Sequence, residues 1–312
     1  MRAVVFERNG GPEVLDYREV PDPSPRDGQV LVEVEGIGVN FRDVYEREGQ
    51  DYGQKPPAII GVEGAGRVAG TGERVAWINV PSSYAERVAS DSKHLVPIPD
   101  GVSSDIAAAA LLQGITAHYL AHDSYPIQKD DWVLVHAAAG GVGLLLTQIA
   151  KQLGAHVIGT TSSEDKAQLA REAGADEVLG YEDFATRARE MAGGEGVAAV
   201  YDGVGKTTFY EGLRAIRPLG RMILYGSASG QPDPLPVALL AKSGSLYVQR
   251  PTIQTYTRTP DMLRERAGKV FELIRQSKLN VRIGARYPLA DARQAHIDLQ
   301  ARKTTGKILL EP

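Results

Sequence analysis

Cysteine is absent from all 312 positions, which removes a disulfide framework, Cys-rich zinc modules, iron–sulfur clusters and thiol catalysis together. Any metal would have to be held by carboxylates and 6 histidines. Long apolar runs are missing as well: the longest, Ile106 to Leu112, falls far short of the ~20 residues that span a bilayer. At the amino end Glu7 and Arg8 arrive with no apolar core of about 7–15 residues, so no signal peptide and no membrane association are expected, and a cytoplasmic protein is. A basic stripe is lacking too. Lysines and arginines are scattered among acids, the net charge is -4 and the pI is about 5.9, which disfavours binding nucleic acid through its phosphates. There is no internal repeat and no low-complexity tract.

What remains is globular: 43% hydrophobic and 24% charged residues on a chain able to bury roughly three quarters of its unfolded surface. Two domains are the expectation. The first hundred residues read as short strands, Ala3 to Glu7, Leu15 to Val20 and Gln29 to Glu35, the last with Val30, Val32 and Val34 alternating in period two. That alternation means a half-exposed antiparallel sheet, punctuated by the turn chemistry of Asn9-Gly10-Gly11-Pro12 and Pro21-Asp-Pro-Ser-Pro25.

Beyond Ser103-Ser104-Asp105, a capping signal for a helix through Ala110, strand and helix alternate. Strands are expected at Trp132 to His136, His156 to Thr160, Glu177 to Leu179, Ala198 to Asp202, Arg221 to Tyr225 and Ser245 to Gln249. Helices are expected at Val142 to Leu153, Glu164 to Ala173, Asp183 to Met191 and Thr207 to Ile216. This is the signature of a parallel sheet with helices on both faces, an α/β chain. After Pro260, Leu263, Ala267, Val270, Phe271 and Ile274 form a helical stripe, and the tail Gly306-Lys-Ile-Leu-Leu310 reads as a strand returning to the N-terminal domain. The domains are therefore expected to be 1–115 with 255–312, and 116–254.

The sharpest motif is Val133-Leu-Val-His-Ala-Ala138-Ala-Gly140-Gly-Val-Gly143, a strand entering a glycine-rich turn and then a helix. Ala138-x-Gly140-x-x-Gly143 is the dinucleotide fingerprint with Ala in first place. Gly140 lets backbone approach a pyrophosphate, Gly141 and Val142 open the helix whose N–H groups face it, and Gly143 allows close packing. A mere flexible turn would not need that context. In the second strand, Val157-Ile-Gly159-Thr160-Thr161-Ser162-Ser163 is hydroxyl-rich where an NAD-specific site carries an acid, and Lys166 follows within reach of a 2′-phosphate. This favours NADPH; the alternative is a lysine on a solvated helix beside Glu164 and Asp165.

These residues resemble the zinc-free, zeta-crystallin-like quinone oxidoreductases of the medium-chain dehydrogenase/reductase superfamily. The likeness runs through Gly36-Ile-Gly-Val-Asn-Phe-Arg-Asp43, Gly61-Val-Glu-Gly-Ala-Gly66, Leu112-Gln-Gly-Ile-Thr116, His136 to Gly143, Tyr201-Asp-Gly-Val-Gly205 and Gly244-Ser-Leu-Tyr-Val-Gln-Arg-Pro251. The resemblance implies a GroES-like β-rich catalytic domain, a Rossmann doubly wound domain and NADPH in the cleft. It implies Asn40 and Tyr45 near the nicotinamide, Gln113 and Thr116 lining the same cleft, Lys166 and Tyr181 at the 2′-phosphate end, and Tyr225-Gly226-Ser227 as backbone facing the nicotinamide. Where zinc-dependent relatives carry Cys and Gly-His-Glu, this chain has Asn40 and Val62, and Gly66 to Ser83 is short even for the family.

Without a Lewis acid, a substrate that accepts hydride through its own conjugation is favoured: a quinone, or an enone or 2-alkenal reduced at carbon–carbon. Tyr45 is the expected oxygen donor, Asn40 an orienting amide and Gln113 a further partner; Tyr45 as a packing residue and Asn40 as a turn residue are the alternatives. Asp43 and Glu63 are expected to be structural partners of Arg or backbone. His118 and His122 have zinc-helix spacing without the Glu, and Tyr125 with Lys129 mimics a short-chain reductase pair interrupted by Pro126. The edge strand Ser245 to Gln249 suggests a homodimer. A different class, an NADPH-binding sensor or structural protein without turnover, remains open at this point.

Overall fold

The computed structural model describes residues 1–50 and 53–312. The chain divides into two compact units, Met1–Ile115 with Thr257–Pro312, and Thr116–Tyr256.

In the first unit β1 (Arg2–Phe6), β2 (Leu15–Glu19), β3 (Gln29–Val39), α1 (Phe41–Arg47), β4 (Ala58–Ile59), β5 (Gly64–Val68), β6 (Arg74–Trp77), β7 (Arg87–Asp91) and β8 (Leu95–Pro97) follow in order, and then α2 (Ser104–Tyr119), whose residues from Thr116 on are counted with the second unit. A small sheet β2-β1-β4 is antiparallel throughout. The long strand β3 pairs antiparallel with both β5 and β7. Its core gathers Phe6, Ile37, Trp77 and Tyr84, none of them exposed. Trp77 remains satisfied there because its Nε1–H donates to Ser83 Oγ at 2.9 Å. Helix α2 runs well beyond Ala110, because Ala107–Leu111 are wholly buried and no proline stops the turn before Tyr119.

The second unit holds β9 (Trp132–Val135), α3 (Gly141–Gln152), β10 (His156–Thr160), α4 (Glu164–Glu172), β11 (Glu177–Leu179), α5 (Phe184–Met191), β12 (Val197–Asp202), α6 (Phe209–Ala215), β13 (Ile216–Leu224), α7 (Val237–Lys242), β14 (Tyr247–Gln249) and α8 (Ile253–Tyr256). The six strands are parallel in the order β11-β10-β9-β12-β13-β14, so the chain steps outward from β9 in one direction and then in the other. Such a reversal opens a crevice at the carboxyl ends of the two central strands. Leu134, Val200 and Met222 of the sheet meet Phe184, Phe209 and Leu213 of the helices.

The chain then returns to the first unit through α9 (Pro260–Arg275), β15 (Ile283–Pro288), α10 (Ala292–Gln300) and β16 (Lys307–Glu311). Thr259 caps α9 by accepting the Met262 N–H at 3.3 Å, Pro260 occupies the first turn, and Leu263, Ala267, Val270 and Phe271 are buried while Ile274 is half-buried. Strand β16 pairs antiparallel with β3 and parallel with β15. Among the described residues no helix is long and apolar enough to cross a membrane.

Candidate active site

In the second unit the glycine-rich turn joins β9 to α3. Gly140 is the helix N-cap in extended backbone, with no side-chain cap, and its carbonyl accepts the Leu144 N–H at 2.9 Å. The N–H groups of Gly141, Val142 and Gly143 thus lie in the first turn, which the helical ladder leaves without carbonyl partners. A side chain at 143 is excluded: its Cβ would stand 2.4 Å from Ala137 O and 2.8 Å from Ala138 Cα. Gly159 on β10 makes room for Ala138, whose Cβ would be 2.8 Å from a Cβ there, and the Ala138 N–H donates to Thr160 O at 3.0 Å. Ala137 takes a left-handed backbone, φ 52, to complete the turn. The residues fit a pyrophosphate: main-chain donors, a helix dipole and no side chain in the way.

His136, at the end of β9, is fully buried and bonds Thr160 Oγ1 through Nδ1 at 2.8 Å, while Nε2 has no protein partner. Desolvation lowers its pKa against the weaker pull of Asp202, so the ring beside this turn is neutral. Tyr181 lies nearly parallel to it at 6.1 Å between centroids. Ser163 caps α4 by accepting the Lys166 N–H, and Lys166 Nζ donates to Ser162 Oγ at 3.3 Å. Glu164 is turned to Arg171 at 2.6 Å, and that hydrogen bond holds its carboxyl below the ordinary value.

The loops after β12 and β13 leave the same edge of the sheet. Asp202, buried, accepts the N–H groups of Val204 and Gly205 at 2.7 and 3.0 Å and the Thr208 hydroxyl at 2.8 Å. Its carbonyl accepts the Tyr225 and Gly226 N–H groups, and Ser227 Oγ accepts from Gln231 Nε2 at 3.1 Å. Tyr225-Gly226-Ser227 is thereby a fixed backbone segment.

In the first unit, Asn40 ends the extended run of β3 and caps α1. Its side chain is 5% exposed and fully engaged: Nδ2 donates to Glu63 Oε2 at 2.8 Å and to Gly38 O at 3.1 Å, and Oδ1 accepts from Lys307 Nζ at 2.8 Å. Tyr45, one turn into α1, is 8% exposed with its ring 6.3 Å from that of Phe41. Gln113, half-buried, is on α2 in the same unit, and Thr116, buried, is the first residue of the second unit, one turn further along that helix.

Two buried networks back this region, and sequence reasoning did not assemble either. Glu63 bonds Asn40, the Leu112 N–H and Lys307. Its charged partner is therefore a lysine, not an arginine. Asp43 accepts the Asn40 N–H at 2.8 Å and the Tyr84 hydroxyl at 2.9 Å, and burial raises its carboxyl to about 7. Tyr84 continues to His296 Nε2 at 3.2 Å, and Arg47 Nη1 donates to His296 Nδ1 at 3.0 Å. Because a guanidinium only donates, Nδ1 accepts and the ring proton sits on Nε2, facing Tyr84. Burial, then Arg47, lowers the His296 pKa to about 3.

His118 and His122 do face each other at 4.4 Å between centroids, yet no group of three metal-ligating side chains occurs among the described residues. Tyr125 donates to Asp131 Oδ2 at 2.7 Å from outside any helix, so it does not form a helical pair with Lys129.

Residues 26–100 match the family model described as alcohol dehydrogenase GroES-like domain, and residues 141–268 the one described as zinc-binding dehydrogenase. A quinone oxidoreductase of Pseudomonas aeruginosa is 40% identical over 100% of this chain and 99% of its own length. A 2-haloacrylate reductase of a Burkholderia species is 36% identical over 99% of this chain and 98% of its own. Among solved structures, a mycobacterial protein complexed with NADPH superposes with a TM-score of 0.96 at 44% identity, covering 100% of both chains. The strands of β9–β14 form the Rossmann-like parallel sheet and those of the first unit the GroES-like part. With relatives of this identity along its full length, the chain belongs to the quinone oxidoreductase family of the medium-chain dehydrogenase/reductase superfamily.

Proposed function

We propose that this protein is an NADPH-dependent oxidoreductase that reduces quinones without a metal ion, its second unit holding the cofactor and its first unit the acceptor. The observation that carries the metal-free reading is the state of Asn40: the residue standing where zinc-dependent relatives have Cys is locked against a buried ammonium, Lys307 Nζ, at 2.8 Å. The Asn40 oxygen is thereby engaged by a donor, the neighbouring Glu63 carboxylate is paired with the same ammonium, and Val62 offers no ligand. Bound NADPH supplies the hydride. The first-turn N–H groups of Gly141, Val142 and Gly143 hold its pyrophosphate, Lys166 with Ser162 takes the 2′-phosphate, and Tyr181 flanks the adenosine end. Tyr225-Gly226-Ser227 and Thr116 shape the nicotinamide side through backbone and hydroxyl.

With no Lewis acid, the acceptor must be electrophilic by conjugation. Tyr45 donates a hydrogen bond to the oxygen that gains charge, and Gln113, whose amide makes no hydrogen bond within the described residues, orients the ring. The quinone oxidoreductase relatives support this acceptor. A second reading, reduction of an activated carbon–carbon double bond, is favoured by the 2-haloacrylate reductase among the relatives. It differs in needing a proton on carbon.

The test is anaerobic NADPH oxidation with 1,4-benzoquinone, 9,10-phenanthrenequinone and a 2-alkenal, with products identified. Hydroquinone formation at a rate well above that of alkenal reduction supports the quinone assignment; saturated carbonyl products move it to alkene reduction; tight NADPH binding without turnover on any acceptor refutes both. Tyr45→Phe is expected to lower kcat about 10- to 100-fold while leaving NADPH affinity unchanged.

A further inference from the structure

We infer that Lys307 and Glu63 are positioning residues for Asn40, fixing its carboxamide in a single orientation; this rests on the reading of Asn40 as a site residue. Lys307, on β16, is 1% exposed and Glu63 is wholly buried, so both charges lie out of water. Lys307 Nζ reaches Asn40 Oδ1 at 2.8 Å and Glu63 Oε2 at 2.5 Å. Glu63 Oε2 accepts Asn40 Nδ2 at 2.8 Å, while Oε1 accepts the Leu112 N–H at 2.7 Å and so anchors the carboxylate to α2. Gly38 permits the convergence: a Cβ there would lie 2.5 Å from Glu63 Oε2 and 2.7 Å from Ala108 O.

An ammonium only donates and a carboxylate only accepts, which leaves one orientation for the amide. Both Nδ2 hydrogens are then consumed, by Glu63 Oε2 and Gly38 O. Asn40 therefore has no N–H left for a developing oxyanion. Its Oδ1 faces Lys307 Nζ, so the network holds the whole carboxamide in one orientation. An unrestrained asparagine would offer either face.

A buried ion pair of this kind is a poor stabiliser, because desolvation offsets most of the attraction, and removing both charges together is tolerated far better than removing one. That supplies the test. Glu63→Gln keeps an acceptor for the Leu112 N–H but turns an amide nitrogen toward Asn40, so the pair Lys307→Met with Glu63→Gln releases Asn40 while leaving no uncompensated charge. Turnover of 1,4-benzoquinone with NADPH is measured for that pair, for Asn40→Ala and for all three changes combined, with thermal midpoints recorded alongside.

The pair is expected to lower kcat about 10-fold, with the KM for NADPH within about 2-fold, and to cost less than about 2-fold more in the Asn40→Ala background. Losses that multiply independently overturn the inference, because a generally structural role would act whether or not Asn40 is present. An unchanged kcat in the pair overturns it as well. Full turnover by Asn40→Ala overturns the site reading on which it rests, and the inference with it. If the pair does not fold, the same cycle with Lys307→Leu in place of Lys307→Met, which likewise removes the donor to Asn40 Oδ1, is read by the same outcomes.

Discussion

Replacing Asp43 with Asn should change how stability depends on pH. Asp43 is wholly buried, its Oδ2 accepts two hydrogen bonds and its Oδ1 has none. Desolvation raises the carboxyl from 3.8 to about 7, against the pull of the Asn40 N–H and the Tyr84 hydroxyl. The folded chain therefore keeps a proton that the unfolded chain releases, so this contribution is complete below about pH 4 and is lost as pH rises through about 7. At about 1.4 kcal/mol per pH unit the gap amounts to ~4 kcal/mol. Asparagine preserves an acceptor for both donors and does not titrate, so the variant should gain ~2–4 kcal/mol on the parent between pH 4 and pH 8. His296 acts in the opposite sense: with its pKa lowered from 6.5 to about 3, its contribution is complete above 6.5 and is lost as pH falls toward 3. From pH 4 to 6.5 the two slopes oppose each other in the parent, and Asp43→Asn unmasks that of His296, so the variant's stability rises with pH there. Urea midpoints at half-unit intervals from pH 4 to 8 measure this. Parallel curves for parent and variant would refute the assigned protonation of the Asp43–Tyr84–His296 chain.

The remaining predictions concern the cofactor unit. Gly143→Ala places a methyl group 2.4 Å from Ala137 O, so a loss of ~1–3 kcal/mol of stability and at least tenfold weaker NADPH binding are expected by denaturation and fluorescence titration. Lys166→Ala should weaken NADPH about 5- to 10-fold and leave NADH unchanged, since the half-exposed ammonium contributes only with the 2′-phosphate present. We also propose that the protein is a homodimer through the edge of the parallel sheet, where Tyr247 is 56% and Val248 36% exposed on β14. Val248→Lys should shift a dimer toward 33.6 kDa in light scattering, and a parent that is already monomeric removes the proposal.

Legibility of the fold followed the range of the interactions that specify each part. The alternation from Trp132 to Gln249 can be read because each strand and helix of a parallel α/β unit carries its own period, and β10, α4, β11 and α5 lie within a residue or two of expectation. The start of β13 was not legible, since Pro218-Leu219-Gly220 interrupts the pattern and Leu219 adopts φ 60. Strand β15 and helix α10 were missed for a related reason: Ile283 to Pro288 is half-exposed on every other residue and carries Gly284 and a closing Pro288. The glycine-rich turn between β9 and α3 is local chemistry, so Gly140 and Gly143 announce themselves. The groups behind Asn40 do not, because Glu63 is 23 positions away and Lys307 is 267.

Yet those two charges carry a signal that a reader can use in other chains. Glu63 stands in Gly61-Val-Glu-Gly-Ala-Gly66, where glycines bring strands too close for a carboxylate to reach water, and Lys307 precedes Ile308, Leu309 and Leu310 in a strand that is apolar thereafter. A buried charge must find its opposite, since either one alone would neutralise or unfold the site. Here the acid, immediately before β5, and the base, opening β16, meet across 244 positions, and Asn40 is the polar residue that completes their hydrogen bonds.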